Sequence, residues 1–180
     1  MNRRHHLQTL LDAHEPADAT EAAHLNAMRA LLQRPGDVLS RDHYDPGHFT
    51  ASAFVLSPDR RDLLMIFHGK LHRWLQPGGH IDPEDSDVEQ ASRREVMEET
   101  GATNLELWQP GILDVDVHAI PSLKGAPEHR HFDVRFAFVA SSRDILAGDD
   151  AEAATWVPLA KVPEMETDAS VLRAVARLTR

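Results

Sequence analysis

The chain contains no cysteine, and this absence excludes every function that depends on a thiol. Disulfide bridges, zinc sites built from thiolates and a cysteine nucleophile are all ruled out. Any chemistry in this protein must therefore use oxygen and imidazole groups.

Positive charge is also scarce, with 19 lysines and arginines against 29 aspartates and glutamates and a formal net charge of −10. The phosphates of nucleic acids and of anionic membranes would repel such a chain. We therefore expect neither nucleic acid nor a membrane as a partner. A small phosphorylated molecule whose charge is neutralised by a cation is compatible with this composition.

Long apolar runs are missing as well. The N-terminal stretch is interrupted by Gln8, Thr9 and Asp12 and is too short for a signal peptide or a membrane span, so we expect a cytoplasmic protein. The 180 residues, of which 42% are hydrophobic, are enough for one core and predict one domain with an appendage.

The most informative stretch is an acidic helix that follows a glycine pair. Ser86 and Glu89 have the spacing of a capping box, and Gly101 suits the position after a helix C-terminus, so we predict a helix from Asp87 to Thr100. At about 100° per residue, three acidic side chains share one face of this helix. They are Glu95, Glu98 and Glu99.

These three carboxylates repel one another, and partial burial makes their ionised forms costlier still. A bound cation removes both penalties, and oxygen ligands favour a hard ion, so we predict Mg²⁺ or Mn²⁺ as the cofactor. The preceding Pro77-Gly78-Gly79 predicts a turn whose backbone approaches a ligand closely. Loop and helix together would hold the metal against a pyrophosphate. The alternative is an acidic helix face that contacts only solvent.

These residues resemble the Nudix box of the Nudix hydrolase superfamily. The family pattern is Gly, five residues, Glu, seven residues, then Arg-Glu-aliphatic-any-Glu-Glu-any-Gly-aliphatic, and its second half matches residues 94–102. The first half departs from the pattern, because fourteen residues separate Gly79 from Arg94 where the family has thirteen. The family's first glutamate falls on Asp85 when counted from Gly79 and on Ser86 when counted from Arg94, so no role can be carried over to Asp85 or Glu84.

The resemblance implies an α/β fold, specifically an α/β/α sandwich with a mixed β-sheet. It also implies a metal-dependent hydrolase that cleaves a phosphoanhydride bond in a nucleoside diphosphate linked to another moiety. In this interpretation the box glutamates bind the metal, Arg94 orients them by ion pairing, and Gly78 and Gly79 shape the substrate loop. Glu95 serves as metal ligand or general base. Glu128, at a loop-to-strand junction, is a second candidate for the base.

Residues 1–47 differ in pattern from the rest and predict two amphipathic helices. We interpret them as an N-terminal helical extension that precedes a Nudix hydrolase domain at residues 48–180. The apolar faces of these helices offer a surface for a possible homodimer. Four histidines of this extension are expected at the surface, namely His5, His6, His14 and His24.

Two stretches outside the box predict further substrate contacts. Lys70 and Arg73 follow a predicted hairpin and could meet the phosphates of the substrate. In the later strand around residues 129–139, phenylalanines and a valine alternate with His129, His131, Asp133 and Arg135, so these polar residues share one face. His131 and Asp133 are our candidates for lining the substrate cleft. A hydrogen-bonded network and a zinc site are the alternatives.

Two other functions remain open from the sequence alone. One is a catalytically inactive Nudix-fold module that binds a nucleotide or another protein. The other is a histidine-dependent metallohydrolase that uses the row beginning at His129, although this function leaves the acidic helix without a role.

Overall fold

The computed structural model describes residues 2–122, 125–148 and 152–179. The helices are α1 (Arg3–Ala13), α2 (Ala19–Leu32), α3 (Val88–Thr100) and α4 (Ala169–Leu178), with a 3-10 helix at Leu159–Glu164. The strands are β1 (Gly47–Leu56), β2 (Asp62–His68), β3 (Arg73–Leu75), β4 (Gly78–His80), β5 (Leu105–Leu107), β6 (Asp114–Ile120), β7 (His129–Ala140) and β8 (Ala153–Pro158).

The two N-terminal helices begin at side-chain caps. The side chain of Asn2 accepts a hydrogen bond from the Arg4 backbone N–H, and Asp18 does the same for Glu21. The apolar residues of both helices are buried in the same core as the sheet; these are Leu7, Leu11, Leu25, Met28, Leu31 and Leu32. The predicted helices are present, but their apolar faces are used within the chain, so they do not offer the homodimer surface that the sequence suggested.

His14 contradicts the expectation that the N-terminal histidines lie at the surface. It is buried, and its Nε2 lies 2.7 Å from Oε1 of Glu21, which is itself fully buried. Glu21 also accepts hydrogen bonds from Nη1 of Arg177 in α4, at 3.1 and 2.8 Å. This carboxylate therefore joins the N-terminal helices to the C-terminal one, a contact that no local sequence pattern reveals.

The strands form one mixed sheet with β1 and β7 at its centre. These two strands run parallel over their length, from Gly47 opposite Arg130 to Leu56 opposite Val139, whereas the other pairings are antiparallel. β4 pairs with the first half of β1, and β6 pairs with β7. The mixed sheet agrees with the prediction.

Alternation along β1 assigns the two faces of the sheet to different helices. Phe49, Ala51, Ala53 and Val55 belong to the apolar cluster that includes α1, α2 and α3. Phe54 and Leu56 belong to a second cluster with α4 and the 3-10 helix. The chain therefore has the three-layer α/β/α arrangement that was predicted.

The α4 side of the sheet is apolar at one end and polar at the other. The polar half is formed by the first residues of neighbouring strands, which face the same way because they are paired in register: His48, Thr50 and Ser52 of β1, His131, Asp133 and Arg135 of β7, and Asp114, Asp116 and His118 of β6. We call these residues the polar half-face. β4 lies beside it and brings the glycine pair to the same edge.

Among the helices in the described part of the chain, none combines the length and the hydrophobicity that crossing a bilayer requires.

Candidate active site

Helix α3 carries the acidic residues and is fixed at both ends by its own sequence. The cap is Asp87, whose Oδ1 accepts from the Gln90 backbone N–H at 2.9 Å, and not Ser86 as we predicted. At the other end Gly101 adopts a left-handed conformation with φ of 66°, as expected of a residue beyond a helix C-terminus. The predicted helix is thus correct to within one residue.

Arg94 occupies the centre of the candidate site. Its Nε and Nη2 donate to the two carboxylate oxygens of Asp85 at 3.0 and 2.9 Å, and Nη2 also donates to the carbonyl of His80 at 2.8 Å. Its Nη1 donates to Glu95 and to Glu98, at 3.0 and 2.9 Å. The hydrogen bonds that Arg94 donates to Asp85 hold the pKa of Arg94 above its usual range, so this guanidinium remains charged. Arg94 therefore ties two box carboxylates to the preceding loop.

Asp85 is a site residue that the sequence analysis missed. It is buried, and Oδ2 also accepts from the Asp82 backbone N–H at 2.7 Å, which closes the loop between β4 and α3. The extra residue in the first half of the box made the family pattern ambiguous at this position. The available signal was the pairing of an acidic loop residue with a helix arginine nine positions later, which is too general to assign a role.

The three box glutamates differ in their exposure. Glu99 is buried and its Oε2 accepts from the Gly78 backbone N–H at 2.8 Å, while Glu98 is half-exposed. Burial raises the pKa of Glu95; the charge and hydrogen bond of Arg94 oppose this shift, and the charges of Glu98 and Asp82 add to it. Negative charge is therefore concentrated where α3 meets β4.

The two glycines allow α3 and β1 to come close to β4. A Cβ atom on Gly79 would lie 2.7 Å from the carboxylate of Glu95. On Gly78 it would lie 2.2 Å from Cβ of Ser52 in β1. No larger residue fits at either position without movement, so the glycine pair sets the distance between the acidic helix and the sheet.

Three predicted residues lie away from these carboxylates. Lys70 is exposed in the turn after β2, and Arg73 forms an ion pair with Asp168, the residue before α4. Glu128 is exposed just before β7. None of the three makes a described contact with a box glutamate.

Asp133 belongs to a buried network, which was one of the alternatives left open. Its carboxylate accepts hydrogen bonds from Thr50, Ser52 and Arg135, at 3.1, 2.8 and 2.8 Å, and only 4% of the residue is exposed. Since solvent does not reach it, Asp133 is held inside the network of the polar half-face and does not line the surface of a cleft, in contrast to our prediction. His131 does share that face, and it lies among other histidines.

The same network links the sheet to α4. Asp114 and Asp116 accept from Arg173 of α4 at 2.9 and 3.1 Å, and Asp114 also accepts from Arg135 at 3.1 Å. Burial acts to raise the pKa of Asp116, but the hydrogen bond from His118, the charge of Arg135 and the hydrogen bond from Arg173 together hold it below its usual range. These acids are therefore structural, and they position the polar half-face.

A family model, that of the NUDIX domain, matches residues 46–177. The chain belongs to the NUDIX domain family. This membership confirms the resemblance drawn from the box residues, and it supports an enzyme of the pyrophosphohydrolase type.

Solved structures with the same fold include several Nudix proteins. The NUDIX domain of Shewanella oneidensis NrtR, complexed with ADP ribose, is 20% identical with a TM-score of 0.55, covering 73% of this chain and 85% of that chain. MutT from Methanosarcina mazei Go1 is 19% identical with a TM-score of 0.58, covering 73% and 92%. C. elegans Ap4A hydrolase is 16% identical with a TM-score of 0.51, covering 73% and 94%. No curated relative matches this Nudix chain. At these identities the solved structures establish the Nudix fold and nothing finer.

Proposed function

We propose that this Nudix protein is a metal-dependent hydrolase that cleaves the phosphoanhydride bond of a nucleoside diphosphate linked to another moiety. The observation that carries the proposal is the set of partly buried carboxylates that Arg94 and the glycine pair hold at the junction of α3 and β4. We assign this activity to residues 48–180, with residues 1–47 as an extension, in a cytoplasmic protein.

The chemistry of the carboxylates suits Mg²⁺ or Mn²⁺. Glu95, Glu98 and Glu99 offer oxygen ligands only. Burial, and to a smaller extent the charges of Glu98 and Asp82, raise the pKa of Glu95, and a bound cation would offset both effects. In the described part of the chain these three carboxylates do not lie as close together as the ligands of a dedicated metal site, because Arg94 forms ion pairs with Glu95 and Glu98. Magnesium needs only one or two protein carboxylates, since waters and substrate phosphates complete its shell.

When bound, the ion supplies charge stabilisation on the phosphate oxygens and a more acidic water. The residues of the chain supply position and proton transfer. Arg94 orients Glu95 and Glu98, while the Gly78 N–H fixes Glu99. A base works best when its pKa lies near the working pH, so the raised pKa makes Glu95 our first candidate to accept the proton of the attacking water. Glu128 stays a second candidate.

The proposed substrate class follows from the ligands of two proteins with the same fold. Two Nudix proteins of the same fold are described as an ADP ribose complex and as an Ap4A hydrolase, and both ligands contain a nucleotide linked through phosphoanhydride bonds. We propose a small molecule of that class as the partner. The proposed contacts at β4 are Gly78 and Gly79, and the one on the polar half-face is His131. The other two candidates, Lys70 and Arg73, would have to reach the substrate from outside these two regions.

The test is the release of mononucleotide or phosphate from a panel of nucleoside diphosphate derivatives, with Mg²⁺ or with a chelator. We expect metal-dependent turnover by the wild type and its loss in Glu99→Gln, whereas Glu106→Gln on the exposed side of β5 retains it. If no compound is turned over while nucleotide binding is equal in wild type and Glu99→Gln, the hydrolase is refuted and the binding module is supported.

A further inference from the structure

Five histidines from four strands meet at and beside the polar half-face, namely His48, His80, His118, His129 and His131. The ring of His48 lies 4.9 Å from that of His131 and 5.2 Å from that of His80, measured between centroids. His129 and His118 surround His131 at 5.2 and 5.6 Å. The ligand nitrogens of three of them, His48, His80 and His131, all lie within 4.8 Å of one another. In the hydrolysis proposed above, none of these histidines is a metal ligand, and His131 is a proposed contact to the substrate.

The ring of His48 is oriented as metal-ligating histidines usually are. Its Nδ1 is 3.2 Å from the carbonyl oxygen of His43, to which it donates, and this fixes the tautomer in which Nε2 carries a lone pair. The residue is only 1% exposed, and Nε2 is buried without a hydrogen-bond partner in the described structure. A buried polar atom without a partner is costly, so an acceptor atom in this position indicates a bound group.

The cluster is also in the protonation state that a metal requires. Burial, together with the neighbouring imidazoles, lowers the pKa of His48 and of His80 to about 4 and that of His131 to about 2. Arg41 and Arg94 act in the same direction on His80. All three rings are therefore neutral at physiological pH, with lone pairs available, and proton loss does not compete with binding.

The three histidines lie on strands whose positions are fixed. His48 and His131 are directly opposite in the parallel pairing of β1 with β7, and His80 is opposite Thr50. A Cβ atom placed on Gly79 would point toward Glu95. Because side chains alternate along a strand, His80 points to the opposite face of β4. The histidines and the box glutamates therefore lie on opposite faces of β4, and one ion cannot be shared between them.

We propose that His48, His80 and His131 form a site for a borderline transition-metal dication, with zinc as the expected ion. Imidazole nitrogens suit Zn²⁺, Co²⁺ and Ni²⁺, whereas Mg²⁺ takes oxygen ligands, so this site and the carboxylate site select different ions. Three nitrogens bound tetrahedrally to zinc are about 3.4 Å apart, so small ring rotations of the half-buried His80 and His131 close the site. Three protein ligands leave the fourth position to water, the arrangement of open zinc sites.

The experiment is a titration of the untagged, metal-stripped full chain with ZnCl₂ in excess MgCl₂, followed by calorimetry. We expect one zinc ion per chain, and more than a tenfold loss of affinity in His80→Gln and in His131→Gln, because even residues that only support metal ligands cost about 10- to 100-fold. His5→Gln, an exposed histidine on α1, and Glu98→Gln serve as controls that retain the affinity. Circular dichroism verifies that each variant is folded.

A second measurement uses the wild type alone, so it does not depend on a variant that folds. Co²⁺ bound by three imidazoles in a four-coordinate site gives intense visible absorption, which ZnCl₂ removes and MgCl₂ does not. Weak octahedral absorption, zinc binding that is unchanged in His80→Gln and in His131→Gln, or zinc binding lost in Glu98→Gln would each overturn the proposal. Because neither readout requires turnover, failure of this site is distinguishable from failure of the proposed hydrolase.

Discussion

Asp85 and Arg94 face each other with both carboxylate oxygens accepting from the guanidinium, at 3.0 and 2.9 Å. Such two-point pairs fix the plane of the arginine as well as its position. The remaining nitrogen, Nη1, is thereby directed at Glu95 and Glu98. Asp85, in the loop between β4 and α3, thus sets the positions of Glu95 and Glu98 through Arg94, although in the described structure it contacts neither glutamate.

Asp85→Asn tests this arrangement, because the amide retains the shape but not the charge. Breaking a buried ion pair costs about 3–5 kcal/mol when one charge is left alone, and Arg94 keeps two other acidic partners, so we expect a loss of stability at the lower end of that range. Because the acids lose their orientation, kcat should fall about tenfold or more with a smaller change in KM. Steady-state kinetics and thermal unfolding measure both effects. The exposed neighbour Glu84→Gln is the control, and equal kcat in both variants would contradict a positioning role for Asp85.

Glu95→Gln should stabilise the protein at neutral pH while it abolishes activity. Burial raises the pKa of this carboxyl above its usual value of 4.5, so the folded state binds the proton more tightly than the unfolded state. Stability associated with this group is therefore present at acid pH and is lost as the pH rises from about 4.5 through the folded-state value. The Glu95→Gln side chain carries no charge at any pH, so the variant does not lose this stability. Thermal unfolding from pH 4 to pH 8 should show a difference in Tm between variant and wild type that grows with pH; a constant difference would be inconsistent with the shifted pKa.

Glu21→Gln tests the buried link between the N-terminal helices and α4. Hydrogen bonds from His14 and Ala17 and the charge of Arg177 outweigh burial and lower the pKa of Glu21, so the carboxylate is stabilising when ionised. We expect a loss of about 3–5 kcal/mol at pH 7, and a loss that becomes smaller as the pH falls from about 4.5 through the lowered folded-state pKa of the wild-type carboxylate. Urea unfolding at the two pH values measures it. Glu15→Gln, an exposed acid in the same connection, should change stability by less than about 0.5 kcal/mol.

Local patterns in the sequence were sufficient to predict the box helix. Its glycine stop and its row of acids are contained within residues 87–101, and the structure agrees within one residue. Alternation along β7 likewise predicted that His131 and Asp133 share a face. Alternation does not predict which element of the fold packs against that face. The network of Arg135 and Arg173 buries Asp133, and this depends on how α4 packs.

The histidine cluster was beyond prediction for the same physical reason. His48, His80 and His131 come from three strands, and they meet only through the parallel register of β1 with β7 and the pairing of β4 with β1. Neither register is determined by residues close in sequence. Asp85 was missed because the conformation of its loop, and not its spacing in the family pattern, brings it to Arg94.

Gly79→Ala tests the close approach of β4 and α3. The new Cβ would lie 2.7 Å from the Glu95 carboxylate, which is itself held by Arg94 and cannot move away without breaking that hydrogen bond. We expect about 1–3 kcal/mol of destabilisation from this overpacking and a loss of activity, because Glu95 is displaced.

A double-mutant cycle with Glu95→Ala separates this contact from a general intolerance of alanine in β4. If the carboxylate is the obstacle, its removal makes room for the methyl group, and the destabilisation by Gly79→Ala should largely disappear in the Glu95→Ala background. Urea unfolding of the four proteins gives the coupling energy. Additive effects would mean that alanine at position 79 disturbs the strand itself, and that Gly79 does not set the position of Glu95.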